Sequence, residues 1–406
     1  MPEAAAPASV AAARRLAPGS VARVGGRLVH AEGARALLAD DTGGLTLRLA
    51  EGARAPIGAW VEAEGTFDGE ALDAARVEVR TVPRRPFPAP DGEWARMHRE
   101  GGRVLNHLRT RARVSRAIRA FFDERGFLEV ETPAAVPSPG LDLHLSAPGV
   151  TGLADEPRWL ATSPEYQMKR LLAGGLRRIY QLGRVYRRDE RGPLHEPEFT
   201  MLEWYRAFAG SDAIADDTER LVASVARAVT GGTALPGREV DVTPPWERVR
   251  LAELFERRTG EPLERVLPDE ERFFRLWVDR VEPGLGRPRP VLVTHWPASM
   301  ASLARLHPLD PRWADRVEAY VDGVELSNGF GELVDPVEQR ARLERDREAR
   351  AAAGREAYPV DERFLAALEE GLPPSAGNAL GVDRLVMLVG GAAHIEDVLA
   401  FPQSRL

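Results

Sequence analysis

Apolar and polar positions alternate through the first part of the chain. "VARVGGRLVHA", "ARALLADDTGGLTLRLA", "GAWVEAEGTFDGE" and "DAARVEVRTV" are separated by Gly and Asp turns. This spacing predicts about five short strands over 21–82, and with them a small β-barrel. The segment before it, "MPEAAAPASVAAARRLAPGS", is rich in Ala and Pro but lacks the apolar stretch of a signal peptide. Residues 1–20 are therefore expected to be a disordered tail. Four prolines in "TVPRRPFPAPDGEW" mark 83–102 as a linker.

From residue 103 the period becomes helical. Val114, Ile118, Phe121 and Phe122 share one face and Gly126 follows as a C-cap, which predicts a helix over 103–125. "GFLEVETPAAVPSPG" then reads as a strand ending at Pro133. Further strands are expected at 158–161, 179–188, 199–206, 290–295, 319–328 and 379–381. Helices are expected at 165–173, 213–229, 250–258, 270–281, 336–353, 361–371 and 382–389. Antiparallel-looking strands with helices segregated between them define an α+β domain over 103–406. Beyond the N-terminal tail there is no internal repeat, heptad run or low-complexity block.

Composition narrows the function. The 406 residues allow two or three domains with a large core, and 44% hydrophobic with 29% charged content is ordinary for a globular protein. The absence of cysteine excludes disulfides, thiolate zinc sites and cysteine nucleophiles. No apolar run approaches the roughly 18 residues of a membrane helix, so no membrane association is expected and the location reads as cytoplasmic. A net charge of −7 argues against nonspecific coating of nucleic acid but leaves room for a local basic patch. Positive charge is carried almost entirely by arginine, Lys169 being the single lysine, a bias that a GC-rich genome produces.

Familiar nucleotide and nucleophile motifs are missing. There is no G-x-x-x-x-G-K-[ST], no strand-linked G-x-G-x-x-G, no G-x-S-x-G and no histidine pair at zinc spacing. A phosphate would have to be held by arginines. Arg187 ends the first arm of "YRRDERGPLHEPEFTMLEWY", and Arg384 lies in "GNALGVDRLVML", where Gly377 and Gly381 would let backbone approach a flat ligand. The second arm of the first motif mixes Phe199, Met201 and Leu202 with a carboxylate, Glu203, and a phenol, Tyr205. In "VEAYVDGVELSNGFGEL", Glu318, Glu325 and Glu332 recur every seven residues. That spacing on an irregular strand fixes no common face, and both a solvated acidic strand and a Mg²⁺ site remain open.

"GFLEVETP", "YRRDERGPLHEPEFTMLEWY" and "GNALGVDRLVML" resemble motifs 1, 2 and 3 of the class II aminoacyl-tRNA synthetases, in family order. "TSPEYQMKRLL" and "GVELSNGFGEL" are similar to the lysyl branch. "HWPASMASLAR", with Ala379 in "NALGVDR", resembles more closely the ligases that attach lysine or β-lysine to elongation factor P. The likeness runs from 103 to 406. It implies ATP and Mg²⁺ as cofactors, a lysine-type substrate and elongation factor P as acceptor, with tRNA the alternative acceptor. A third reading is a catalytically inactive regulatory paralogue. Motif 1 implies a homodimer.

The resemblance also implies roles. Arg187 would meet the α-phosphate, Phe199 and Arg384 would sandwich adenine, and His195 would reach the β/γ-phosphates. Arg188, Asp189, Glu196, Leu326 and Gly381 would complete the ATP side. Glu318 and Glu325 would hold Mg²⁺. Glu165, with Ser163 and Pro164 in "SPE", would take the ammonium near the reacting carboxylate. Glu203, Tyr205, Asn328 and Glu332 would surround the distal ammonium, with Phe330 against the methylenes and Ala379 beside them. A desolvated cation needs such paired acids. Three features depart from the pattern. Asp189 stands where motif 2 has glutamate, a change that would pass the adenine contact to Glu190 or a water. Glu196 replaces an asparagine. An OB-like barrel precedes the catalytic domain; with only Trp60 and Phe67 as candidate stacking residues, it reads as either an RNA-binding or a docking module.

Overall fold

The computed structural model describes residues 6–51 and 53–406, which form two compact units, Met1–Leu105 and Asn106–Leu406. In the first, β1 (Ser20–Glu32), β2 (Arg35–Asp40), β3 (Gly43–Leu49), β4 (Trp60–Phe67) and β5 (Ala71–Thr81) close a barrel in the order β1-β2-β3-β5-β4. All its pairings are antiparallel except β3 with β5, and the result is OB-like. Alternation does the work expected of it: Val24, Leu28, Leu38, Leu45, Leu47, Val61 and Phe67 point into the barrel.

Two expectations at the edges of this unit need correction. The segment 1–20 is not a free tail over its described part. Ala8 bridges to Val24, and a short helix α1 (Val10–Ala13) buries Val10 and Ala13 completely against the barrel. The Val10 N–H donates to Asp40 at 2.8 Å, and the Ser9 hydroxyl caps Ala12. Two apolar residues at helical spacing were enough to dock a segment whose composition looked featureless. Residues 1–5 lie outside the described residues. The proline-rich stretch is likewise not an open linker. Its Phe87 and Trp94, the latter on α2 (Glu93–His98), gather with Trp60 around the Arg27 guanidinium, which lies 4.2 Å from the Phe87 ring centroid.

Helix α3 (Arg103–Asp123) leads from one unit into the other and stops where Gly126 takes φ 68°. After it come the short strands β6 (Leu128–Glu129), β7 (Ala135–Val136), β8 (Gly149–Val150) and β9 (Arg158–Leu160), then α4 (Glu165–Ala173). The motif 2 hairpin is β10 (Arg178–Tyr186) and β11 (Glu198–Ala207), followed by α5 (Ser211–Thr230), β12 (Glu247–Arg250), α6 (Leu251–Thr259), α7 (Leu263–Val266) and α8 (Glu270–Leu276). The remaining elements are β13 (Val291–Pro297), β14 (Trp313–Val321), β15 (Val324–Gly331), α9 (Pro336–Ala352), α10 (Glu362–Gly371), β16 (Ser375–Gly381) and α11 (Val382–Gly390). Eight strands form one sheet in the order β12-β13-β14-β15-β16-β11-β10-β6, antiparallel except for its two end pairs. This is the α+β class the sequence predicts.

One strand expected to run unbroken over 319–328 is instead a hairpin. Asp322 and Gly323 both have positive φ, 55° and 77°, and turn β14 back along β15. An Asp-Gly pair is the strongest short signal for such a two-residue turn. The turn brings the glutamates spaced by seven onto adjacent strands: Glu318 pairs with Asn328, and Tyr320 with Glu325.

The pleat divides the sheet's work. On β11, Leu202 and Trp204 enter the core with Phe121, Phe122, α5 and α11, and Phe122 stacks on Tyr180 at 4.7 Å. Glu203 and Tyr205, between and beyond them, take the opposite face. The same alternation on β16 sends Ala376 and Leu380 to the core and leaves Gly377, Ala379 and Gly381 on the other side. Gly377 has a local reason: a Cβ there would lie 2.3 Å from the Tyr205 ring and 2.7 Å from a Glu332 oxygen. Its bareness admits two side chains of the site rather than a ligand. Gly377→Ala is expected to destabilise the protein by about 1–3 kcal/mol through overpacking, measured as a lower urea midpoint with an unchanged slope.

Candidate active site

Three adjacent strands set side chains from distant motifs in rows. Glu203 on β11 pairs with Ala379 on β16, which pairs with Asn328 on β15. One step along, Tyr205 pairs with Gly377, which pairs with Phe330. These rows floor a cavity of about 650 Å³. All the residues expected to act line it except Pro164, Arg188, Asp189 and Glu318.

One end of the cavity is acidic and largely buried. Glu203 is 1% exposed and accepts hydrogen bonds from Ser163 Oγ and, at 3.0 Å, from Tyr205 Oη. Burial, then the charge of Glu165, pushes its carboxyl up to about 8, against the opposing pull of those two hydroxyls. Glu165 opens α4, and Ser163 Oγ accepts from its backbone N–H at 3.1 Å. Lys169, one turn further along α4, places its ammonium 2.6 Å from Glu165 and 2.6 Å from the equally buried Glu332. Burial alone would discharge this lysine; the two carboxylates outweigh it and hold the ammonium ionised, above the ordinary lysine range.

The other end presents arginines. The Arg187 guanidinium lies 5.2 Å from the Phe199 ring centroid and 3.3 Å from Glu190, and its Nε is buried with no hydrogen-bond partner among the described residues. Arg384 reaches the Leu194 carbonyl at 3.3 Å, the Glu325 carbonyl at 2.7 Å and His195 Nε2 at 2.7 Å. Its neighbour Asp383 anchors it by accepting from the Thr200 N–H and from Arg111. Burial and the adjacent Arg384 push the His195 imidazole down, so it accepts as a neutral ring. In this arrangement His195 is occupied by Arg384 rather than free for phosphates.

The departures from the motif acquire physical content. Arg188 and Asp189 are exposed, lie outside the cavity and pair with each other at 3.5 Å. Glu190 lines the cavity in their place. Glu196 lines it too, yet its carboxylate accepts from the Gln403 N–H at 3.1 Å, while the Ile395 N–H donates to Pro193 at 2.8 Å. The longer acid at 196 thus ties the motif 2 loop to the segment that follows α11. Pro164 stands behind the pocket as the residue before α4.

Reading the sequence did not single out Arg316. Its fork touches Asn328 at 3.2 Å, the Met300 carbonyl at 2.7 Å and Glu318, and its plane lies between Trp296 and Phe330. No motif spacing announces it; only the β14–β15 hairpin makes it central. Glu318 is consequently buried and engaged by Arg316 and Tyr320. Its carboxyl is pushed up to about 7 by burial and by Glu325, against the pull of Arg316. Glu282 is also raised, by burial and then by Glu325.

Among the described residues no group of three or more acids and histidines forms a complete metal cage. Two mutually repelling carboxylates, Glu318 and the half-exposed Glu325, nonetheless suit an ion such as Mg²⁺, which keeps its waters and shares phosphate oxygens. The donor set fits on that condition, with Glu318 turning an oxygen away from Arg316. No helix among the described residues is long and apolar enough to cross a membrane.

The sheet and these motifs define a class II synthetase-type catalytic domain. The family of class II tRNA synthetases (D, K and N) matches residues 94–405, and the chain belongs to it. Among its relatives, the elongation factor P (R)-β-lysine ligase of Edwardsiella ictaluri is 43% identical over 316 residues, covering 74% of this chain and 96% of that protein. The enzyme of the same name from Hamiltonella defensa is 39% identical, with the same coverage. The lysine–tRNA ligase of Moorella thermoacetica is 39% identical over 319 residues, covering 73% of this chain but 65% of that protein. The family consists of ligases, and ATP with Mg²⁺ is its general currency.

The raised carboxyl of Glu203 has a pH consequence. Glu203 binds its proton more tightly folded than unfolded, so its contribution to stability is complete below pH 4.5 and is lost as pH rises through about 8. Unfolding free energy of the ligand-free protein should fall across that window, and Glu203→Gln should make the fall shallower in denaturant titrations at successive pH values.

Proposed function

We propose that this chain is an ATP-dependent ligase that activates lysine or (R)-β-lysine as an adenylate and transfers the acyl group to a lysine side chain of elongation factor P. The observation that carries the reading is one cavity with two ends: arginines and an aromatic face at one, a buried acid cluster at the other. A nucleotide fits the first, and an amino acid with a cationic tail fits the second. The (R)-β-lysine ligases named above support the acceptor, since this chain spans 96% of their length. A homodimer built on motif 1 belongs to the same proposal; Leu128, 53% exposed on the two-residue edge strand β6, is available for it.

The geometry supports the chemistry as follows. Phe199 and Arg384 hold adenine, and the unpartnered Nε of Arg187 meets the α-phosphate. Glu165, then Glu203 with Tyr205, Asn328 and Glu332, pair the two ammonium groups, with Phe330 along the methylenes. A carboxylate oxygen so placed attacks the α-phosphorus; the bond to the β-phosphate oxygen breaks and pyrophosphate leaves. The acceptor amine then attacks the carbonyl of the adenylate, loses a proton, and forms an amide as AMP departs. No protein side chain becomes covalently attached: positioning and charge complementarity do the work. Glu325 and Glu318 would hold Mg²⁺, which supplies neutralisation of phosphate charge.

The barrel favours a second reading, a lysyl-tRNA synthetase with tRNA as acceptor, because OB-like units grip RNA. Its charge speaks against that role, with seven arginines against ten acids over 21–82. Phe67 is buried in its core, and Trp60 is engaged with Arg27 and Trp94. Side-by-side incubation with labelled lysine or β-lysine, purified elongation factor P and total tRNA should label the factor; label on tRNA alone would reverse the choice. Lysine-dependent pyrophosphate exchange is expected, and its absence with every amino acid would leave the inactive-paralogue reading. Glu332→Gln should raise KM for lysine at least tenfold with KM for ATP within about threefold, because an unpaired buried cation is strongly disfavoured. Arg187→Ala should lower kcat by about 10²–10³.

A further inference from the structure

Fifty-four of the fifty-five basic side chains other than histidine are arginine, and the exception is Lys169. The single lysine stands where the residue is 1% exposed and its ammonium touches two acids from separate elements. The two roles of a cation differ in shape. An arginine fork is planar and long and suits one carboxylate or one phosphate, whereas an ammonium is a compact three-donor point that fits between two. Here it lies between Glu165, one turn earlier on α4, and Glu332, just beyond β15, with the Phe364 ring centroid 5.9 Å away.

Lys169 does not line the cavity, although both of its partners do. It stands behind them, takes one oxygen of each carboxylate, and leaves each its second oxygen. Two buried acids, Glu203 and Glu332, and the partly buried Glu165 would otherwise crowd one end of the cavity without a cation. An uncompensated buried carboxylate is strongly disfavoured there, and burial makes Glu203 and Glu332 hold protons more tightly, which turns them into poorer acceptors for an ammonium. With all three carboxyls ionised, as two substrate ammonium groups would draw them, one fixed cation lowers the excess of negative charge from three to two, the number of ammonium groups on a lysine-type amino acid.

We infer that Lys169 is a resident counter-cation: a positioning residue that orients Glu165 and Glu332 and matches the charge of the pocket to a substrate bearing two ammonium groups. This rests on the amino-acid pocket proposed above and adds to it a residue that never touches the substrate.

The test uses the full chain and pyrophosphate exchange with lysine and ATP. Lys169→Met keeps the volume and removes the charge; KM for lysine should rise at least tenfold while KM for ATP stays within twofold. Lys169→Ala opens a cavity of propylamine size, and n-propylammonium should recover at least half of the lost lysine affinity in that variant, whereas n-butane-saturated buffer should not. A KM for lysine within twofold of the parent in Lys169→Met would overturn the inference, as would equal rises in both KM values. If Lys169→Met fails to fold, the alanine variant decides: restored folding with propylammonium but no restored lysine affinity assigns a purely structural role. A parent chain that shows lysine-dependent exchange while the variants keep its KM sinks this inference alone. A parent chain that shows exchange with neither lysine nor (R)-β-lysine sinks the pocket reading as well.

Discussion

A pleated strand can offer a residue to one face only and must offer its neighbour to the other. Everything at the centre of this protein depends on that constraint. On β11 it lets Leu202 and Trp204 join a large apolar core while Glu203 and Tyr205 stand in a polar cavity, one residue away in sequence. Because β11, β16 and β15 are hydrogen-bonded in register, the same constraint lines up Glu203 with Ala379 and Asn328, and Tyr205 with Gly377 and Phe330. A slip of one residue in either pairing would bury the acids in the core and expose tryptophan to the site. Precision at the site is therefore inherited from the ladder rather than from loops.

Upon that floor two electrostatic problems are solved in opposite ways. At the acidic end, burial penalises every charge, and the carboxyls are accommodated by hydroxyls, an ammonium and, at Glu203, a more tightly held proton. At the arginine end, the Arg384 guanidinium is held by backbone carbonyls and a neutral imidazole, which occupy its donors without cancelling its charge, while Arg187 rests against Glu190. Arg316 connects Asn328 on the cavity floor with the buried Glu318 of its own strand.

Much of this was legible in the residues. The helical face of Val114, Ile118, Phe121 and Phe122, its glycine stop and the carboxylate-phenol pair of β11 all follow from periodicity and chemistry. Other features depended on geometry that spacing does not encode. The Asp322-Gly323 turn was visible as a dipeptide but sat inside an apolar run that reads as one strand; only its positive φ values make glutamates seven apart into cross-strand neighbours. Arg316 matters because the β14–β15 turn folds Asn328 and Phe330 back onto it, and Lys169 because Glu332, far along the chain, meets it beside Glu165; spacing announces neither meeting. Glu196 reads in the sequence only as a replaced asparagine on the ATP side, since the residue that uses it, Gln403, lies more than two hundred positions away. The docked segment 6–13 was missed because two small apolar contacts weigh little in a composition.

The lysine content described above has a practical side. Succinimidyl esters, amine cross-linkers and the protein's own proposed acyl-adenylate all seek an uncharged, accessible ε-amine. On this chain there is one ε-amine, and it is buried, ionised and clasped between carboxylates. In a mixture with a partner protein, ε-amide chemistry therefore reports on the partner, and the enzyme is a silent background in its own assay.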